Sequence, residues 1–246
     1  DTLAVVFARR LFEVADHPSS PRPGGVIELS GTLTWDLTDM KALIGRPDEL
    51  VGPATVRRTG RRVWIDVPLD AGPGTYVVEI VGRSKRGPEV VAMIPIHSAG
   101  AERAPTLPCL ETDRAAQETP SAQLLRLVNR DRRRLGLAPL KRSHALSQSA
   151  DQHASEMART GFAAHVLPGG SPPVNRLASF EVQTERFHEN VAMATTVGQA
   201  HTDLWASPSH RQALLDPAVN RIGVGIQTVQ TEGGPIHFIV QHLARL

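Results

Sequence analysis

At 246 residues, 41% hydrophobic and 21% charged, the chain is long enough for two ordinary domains and has the composition of a folded protein, not a disordered or fibrous one. No apolar run is long enough to cross a membrane as a helix, so no transmembrane segment is expected. A net charge of +2 argues against a nucleic-acid binder, and the pI near 9.1 reflects a modest arginine excess.

Two arginine clusters, Arg57, Arg58, Arg61 and Arg62, and Arg130 with Arg132, Arg133 and Arg134, read as a hairpin rim and a solvated helix face. Cys109 is the sole cysteine, so no intrachain disulfide can form. Its Pro- and Thr-containing surroundings fit an exposed thiol or an intermolecular bridge better than a nucleophile. Asp1 and Thr2 stand before LAVVF, without the charged region and cleavage site of a signal peptide; if the protein is exported, that segment is expected to have been trimmed.

In chain order, Leu3 to Val14 fits strand and helix about equally, and strand is favoured by the β character that follows. Ile27, Leu29 and Leu33 alternate with polar residues, as do Val63, Ile65, Val67 and Leu69, and period two predicts strands. Val77 to Val81 and Val90 to Ile96 flank a charged tip, Arg83 to Gly87, which predicts a hairpin. Tyr76 enters it either as a corner tyrosine bonded to backbone or as a plain core aromatic. Residues 1–100 are thus expected to form an all-β, immunoglobulin-like sandwich. Trp35 and Trp64 are its only candidates for a sugar-stacking platform, and both read more simply as core or interface.

Residues 101–119 contain Pro105 and Pro108 with no apolar period and read as a linker. From 120 onward the period lengthens. Leu124, Val128 and Leu135 share a helical face behind Ser121 as N-cap, with Gly136 as the stop. A second helix is predicted from Ser143 to Gly161, with Leu146, Ala150, Ala154 and Met157 inward. Val197, Ala200 and Leu204 predict a third, and Ser207 with Pro208 opens a short fourth containing His210. Ile222 to Ile226 and Ile236 to Val240, around Gly233 and Gly234, predict a closing hairpin.

Three islands in this half carry candidate chemistry: GFAAH ending at His165, HENVA containing Glu189, and SPSHR placing His210. Imidazoles and a carboxylate suit a divalent metal or an activated water, but the three are scattered and lack a local signature such as HExxH. Spacing leaves site and scaffold evenly matched. His153 reads as a core or boundary residue, and His144, His201, His237 and His242 as surface or hydrogen-bonded structural residues. Ser207 and Ser209 flank His210, but Ser207 is better explained as a helix cap than as a nucleophile.

The blocks LLRLVNRDRRRLGLAPL at 124–140, ADQHASEMARTGFAAH at 150–165, NRL at 175–177, HENVA at 188–192, SPSHRQALLDP at 207–217 and IGVGI at 222–226 resemble, in order, the CAP superfamily of cysteine-rich secretory proteins, antigen 5 and pathogenesis-related 1 proteins, in its bacterial, disulfide-free form. The resemblance implies a C-terminal α-β-α sandwich over 120–246 and a cleft whose members are His165, Glu189 and His210, with Asn190 and Ser207 beside them. It also implies zinc or another divalent metal on His165 and His210, with Glu189 as a further ligand or as a base. His188 stands where the family block opens with glycine, Leu204 takes the usual aromatic place beside Trp205, and the second glutamate of animal and plant members is missing. The expectation is a protein of the cell envelope or medium that binds a lipid, glycan, peptide or protein ligand. A metal-dependent peptidase or esterase using His165, Glu189 and His210 is the alternative.

Overall fold

The computed structural model describes residues 11–15, 21–99 and 118–246. The expected linker up to residue 117, Cys109 and most of the Leu3 to Val14 segment lie outside these. The chain divides into two compact units, one comprising 1–84 and 88–104, the other chiefly 105–246.

The first unit is built from β1 (Phe12–Val14), β2 (Val26–Leu33), β3 (Thr38–Gly45), β4 (Val51–Thr59), β5 (Arg62–Pro68), β6 (Thr75–Ser84) and β7 (Gly87–His97). They form one barrel-like sheet in the order β1-β2-β5-β4-β3-β6-β7. β4 joins its halves, pairing through Val51 to Ala54 with β3 and through Thr55 to Thr59 with β5. The period-two residues Leu29, Leu33, Val63, Ile65, Val67, Val78 and Ile80 point inward and are fully buried in a single core. Tyr76 is also fully buried, and its hydroxyl accepts from the Ala71 N–H at 2.8 Å and donates to the Gly72 carbonyl at 2.9 Å. The sequence did not signal β3, whose alternation is broken by a register shift between Thr38 and Lys41, or β4, which carries Gly52 and Pro53 near its start.

The second unit runs α1 (Pro120–Arg134), β8 (Lys141–Arg142), α2 (His144–Thr160), α3 (Pro173–Ala178), β9 (Phe187–Ala194), α4 (Val197–Ala206), α5 (Pro208–Leu215), β10 (Arg221–Thr231) and β11 (Gly234–Ala244). Its sheet has the order β8-β10-β11-β9, with β9 at one edge. Leu124 and Val128 of α1, Val197 and Ala200 of α4 and Leu214 of α5 cluster with Ile222, Val224, Ile239 and Leu243. Ala150, Ala154 and Met157 of α2 cluster with Phe238 and Val240. Alternate residues of β11 therefore serve opposite helical layers, which makes an α-β-α sandwich.

Helix ends follow local chemistry. Ser143 caps α2, accepting from the Leu146 N–H, and Gly161 closes it at φ +80°. α1 begins earlier than Ser121: Thr119 is the cap, accepting from the Ala122 N–H, and Pro120 takes the first helical position, where a missing N–H costs nothing. Ser207 holds the cap position of α5 but makes no side-chain cap bond.

The arginine cluster at the end of α1 is only partly solvated. Arg132 is 1% exposed; its Nη1 donates to the carbonyls of Leu214 and Asp216, and its Nε to that of Ala138. Beside it, Asp131 accepts from Arg130 and from His201 Nε2 at 2.7 Å. Burial alone would raise the Asp131 carboxyl, but the His201 and Arg130 hydrogen bonds win and hold it at about 2. Asp216, which accepts from His188 Nε2 and Arg186 Nε at 2.6 Å, is likewise held at about 2 against burial. Carboxylates depressed in the fold stabilise it above their unfolded pKa near 4, and that stability drains as pH falls from about 4 toward 2. Asp131→Asn is expected to lose about 2 kcal/mol at pH 6 and to flatten the acid limb of a stability–pH curve measured by urea unfolding. An unchanged acid limb in that variant would contradict the pairing.

Candidate functional site

The three islands occupy different elements. His165 lies in the loop after α2, Glu189 is the third residue of the edge strand β9, and His210 is in the first turn of α5. Glu189 is therefore a strand residue, not one at an element end. Its buried carboxylate accepts through Oε1 from His165 Nδ1 at 2.8 Å. Through Oε2 it accepts from Arg176 Nη2 at 2.5 Å and from His242 Nε2 at 2.8 Å.

Strand register makes part of this arrangement obligatory: Glu189 pairs directly with His242 in the β9–β11 ladder, so both side chains leave the same face. Arg176 arrives from α3, and its Nη1 also binds the His165 and Ser171 carbonyls, which fixes the loop that carries His165. His153, fully buried in α2, is hydrogen-bonded through Nε2 to the Ala164 carbonyl at 2.8 Å and secures the same loop from the other side. Burial pushes its pKa down.

Burial alone would raise the Glu189 carboxyl, but hydrogen bonds from His165 and His242, with the charge of Arg176, hold it far below the usual carboxylate range. An ionised carboxylate only accepts, so His165 must donate from Nδ1, and its Nε2 makes no hydrogen bond among the described residues. His242 donates from Nε2, leaving its buried Nδ1 without a partner among the described residues.

His210 is placed by the strand and by its own helix. Its carbonyl accepts from Asn190 Nδ2 at 3.3 Å, while Asn190 also donates to Gln241 Oε1 at 3.0 Å. Its Nδ1 lies 2.7 Å from Ser207 Oγ, the contact this serine makes in place of a cap bond. Burial, reinforced by the nearby His165 ring, lowers the His210 pKa to about 4, so it is neutral at pH 7. His188, at the position of the family's glycine, binds Asp216 and takes no part in the Glu189 cluster. Trp205 lies against Arg134 and Arg211 instead.

This donor set fits a divalent cation at two points only. Among the described residues no three His, Cys, Asp or Glu side chains converge to hold a metal ion. His165 and His210 each spend Nδ1 on an oxygen, which orients the ring and leaves Nε2 available, the usual division of labour in a metal-binding histidine. Glu189, with both oxygens engaged, orients His165 and does not offer a ligand atom. Arg176, His242 and His153 were not singled out by sequence. The available signal was the polar pair Gln241 and His242 inside the otherwise apolar segment Phe238 to Leu243.

Comparison with known proteins places this unit. The family model of the cysteine-rich secretory protein family, CAP, matches residues 125–243. The chain is 29% identical over 104 residues to the uncharacterized protein YkwD of Bacillus subtilis, covering 42% of this chain and 40% of that one. It is 31% identical over 111 residues to the uncharacterized membrane protein YlbC of the same organism, covering 45% and 32%. The chain thus spans less than half the length of these relatives. A solved extracellular protein with an SCP domain from Bacillus anthracis aligns over 90% of this chain and 78% of its own, at 16% identity and a TM-score of 0.46. Residues 125–243 of this chain form a domain of the CAP superfamily, the cysteine-rich secretory protein family.

Proposed function

We propose that this chain is an exported binding module of the cell envelope or medium whose CAP cleft takes a divalent metal, zinc in the first instance, on His165 and His210. The ligand it presents to is a lipid, glycan, peptide or protein. The observation that carries this reading is the engagement of both Glu189 oxygens by His165, Arg176 and His242. A carboxylate so held is a poor base, since a proton taken up would displace one of three donors, two of them buried. That disfavours the metal-dependent hydrolase and favours binding. A cation on two imidazoles would supply positive charge and open coordination positions to an oxygen of the ligand.

The first unit fits the same reading as a spacer or adhesion module. An immunoglobulin-like character for it is supported by the strand order β1-β2-β5-β4 followed by β3-β6-β7 and by Tyr76 at the start of β6, whose hydroxyl is bonded to backbone. No helix among the described residues is long and apolar enough to cross a membrane.

Zinc titration at about pH 7.5, where neutral imidazole predominates, is the test. One equivalent is expected to bind, and His165→Ala with His210→Ala is expected to abolish it. Glu189→Gln is expected to keep the stoichiometry while weakening affinity by about 10- to 100-fold, as loss of an orienting partner does. Stoichiometric zinc in the double histidine variant would sink the proposed ligands. Turnover of a peptide or ester that Glu189→Gln abolishes would replace binding with catalysis.

A further inference from the structure

A different surface carries its own signal. α1 contains five arginines against one aspartate. Across residues 118–246 as a whole, thirteen Lys and Arg face ten Asp and Glu, so this one helix accounts for all the excess charge. Arg132 turns inward, but Arg126, Arg130, Arg133 and Arg134 lie on one stripe, since their spacing of three, four and seven returns each to the same side. Arg126, Arg130 and Arg134 side chains are 45%, 37% and 48% exposed, and Arg133 is exposed as well.

Favourable interaction with the C-terminal end of the helix dipole accounts for basic residues in the last turn, not for Arg126 two turns earlier. Two carboxylates offset the four arginines of the stripe only in part. Glu118 pairs with Arg126 at 3.1 Å, and the buried Asp131 serves both Arg130 and Arg134 as well as His201. Trp205 of α4 extends the stripe, with the guanidinium of Arg134 5.7 Å and that of Arg211 5.9 Å from its ring centroid.

We propose that this stripe is a docking surface for a linear polyphosphate chain. The charges run in single file along about 12 Å of helix axis, and charge complementarity calls for a partner with anions repeated along a line. A membrane surface is a poorer match, because the aromatic nearest the stripe is flanked by guanidiniums and offers little apolar area to insert. The proposal uses neither His165 nor His210, and its binding needs no metal.

The probe is inorganic polyphosphate, titrated calorimetrically into the full chain over a series of salt concentrations, with phosphatidylglycerol vesicles as the second arm. Affinity is expected to fall linearly in a log–log plot against salt, by about 0.7 per phosphate neutralised. Arg126→Glu with Arg133→Glu is expected to lower it at least about tenfold, each basic group near an anionic surface being worth roughly a factor of five. Arg159→Glu, a charge change at the end of α2, and His165→Ala are expected to leave it unchanged. Should the double variant fail to fold, Arg133→Ser, which removes an exposed side chain with no ion pair among the described residues, is expected to weaken binding and reduce the salt slope by itself. Unaltered polyphosphate affinity in these variants, a salt-independent affinity, or binding to vesicles without binding to polyphosphate would each overturn the proposal.

Discussion

Gly225→Ala is expected to cost the CAP domain at least about 3 kcal/mol, toward or beyond the upper end of ordinary overpacking penalties. The IGVGI segment of β10 lies directly beneath α2. A Cβ on Gly225 would sit 2.2 Å from the carbonyl carbon of Ala150 and 2.3 Å from the Asp151 nitrogen; one on Gly223 would sit 2.1 Å from the carbonyl carbon of Leu146. These are backbone atoms of a helix, so no side chain can rotate away, and the helix itself must retreat. Retreat would open the layer in which Ala150, Ala154 and Met157 pack against Phe238 and Val240, and would shift the loop carrying His165. For a domain of ordinary stability, 5 to 15 kcal/mol, such a loss is a large fraction of the total. Urea unfolding measures it. Gly233→Ala, whose Cβ would meet nothing closer than Thr231 Oγ1 at 3.8 Å, is the matched control and is expected to be nearly silent. Ala150→Gly is not expected to rescue Gly225→Ala, because the collision is with backbone. A Gly225→Ala protein as stable as the control would mean that α2 is not seated on β10 as described.

The same two glycines mark the border of what sequence conveys. Ile222, Val224 and Ile226 announce a strand by period two, and Ser143 and Gly161 bracket α2 by capping, because these signals are local. That helix and strand approach so closely is a tertiary fact, visible in sequence only as two glycines in a strand that propensity would rather fill. The candidate site divides in the same way. His165, Glu189 and His210 come from ordered blocks, whereas His242 reaches Glu189 across 53 residues through the β9–β11 register, and Arg176 through a six-residue helix with no periodic signal. Ser207 was read as a cap because its position is that of a cap, but its hydroxyl goes to His210 three residues on. The arginines of α1 were read together as solvated, which holds for Arg133 and Arg134; the inward turn of Arg132 follows from carbonyls at the end of α5 that no local pattern announces.

Arg176→Met is expected to destabilise the domain by about 3 to 5 kcal/mol at pH 7, the cost of leaving a buried charge without its partner. The Glu189 side chain is 2% exposed and that of Arg176 3%, so water cannot replace the lost ion pair without opening the site. The two imidazole donors soften the loss. In the wild type, Glu189 is ionised in the fold well below its ordinary range and stabilises the fold above its unfolded pKa near 4.5. Without Arg176, burial is opposed only by the imidazoles, and the folded-state pKa moves upward. With its folded-state pKa nearer the unfolded value, Glu189 loses less stability on protonation in Arg176→Met than in wild type, so the gap between the two should narrow as pH falls below about 4.5. Neutralising the carboxylate should achieve the same at constant pH, so Arg176→Met with Glu189→Gln is expected to be more stable than Arg176→Met alone, a coupling that a double-mutant cycle reads directly. Zinc affinity should track the orientation of His165, falling in Arg176→Met because a protonated or rotated Glu189 no longer fixes the Nδ1–H form. If the two single variants prove additive and the gap is independent of pH, Arg176 is a packing residue and the charge of Glu189 is held by something else.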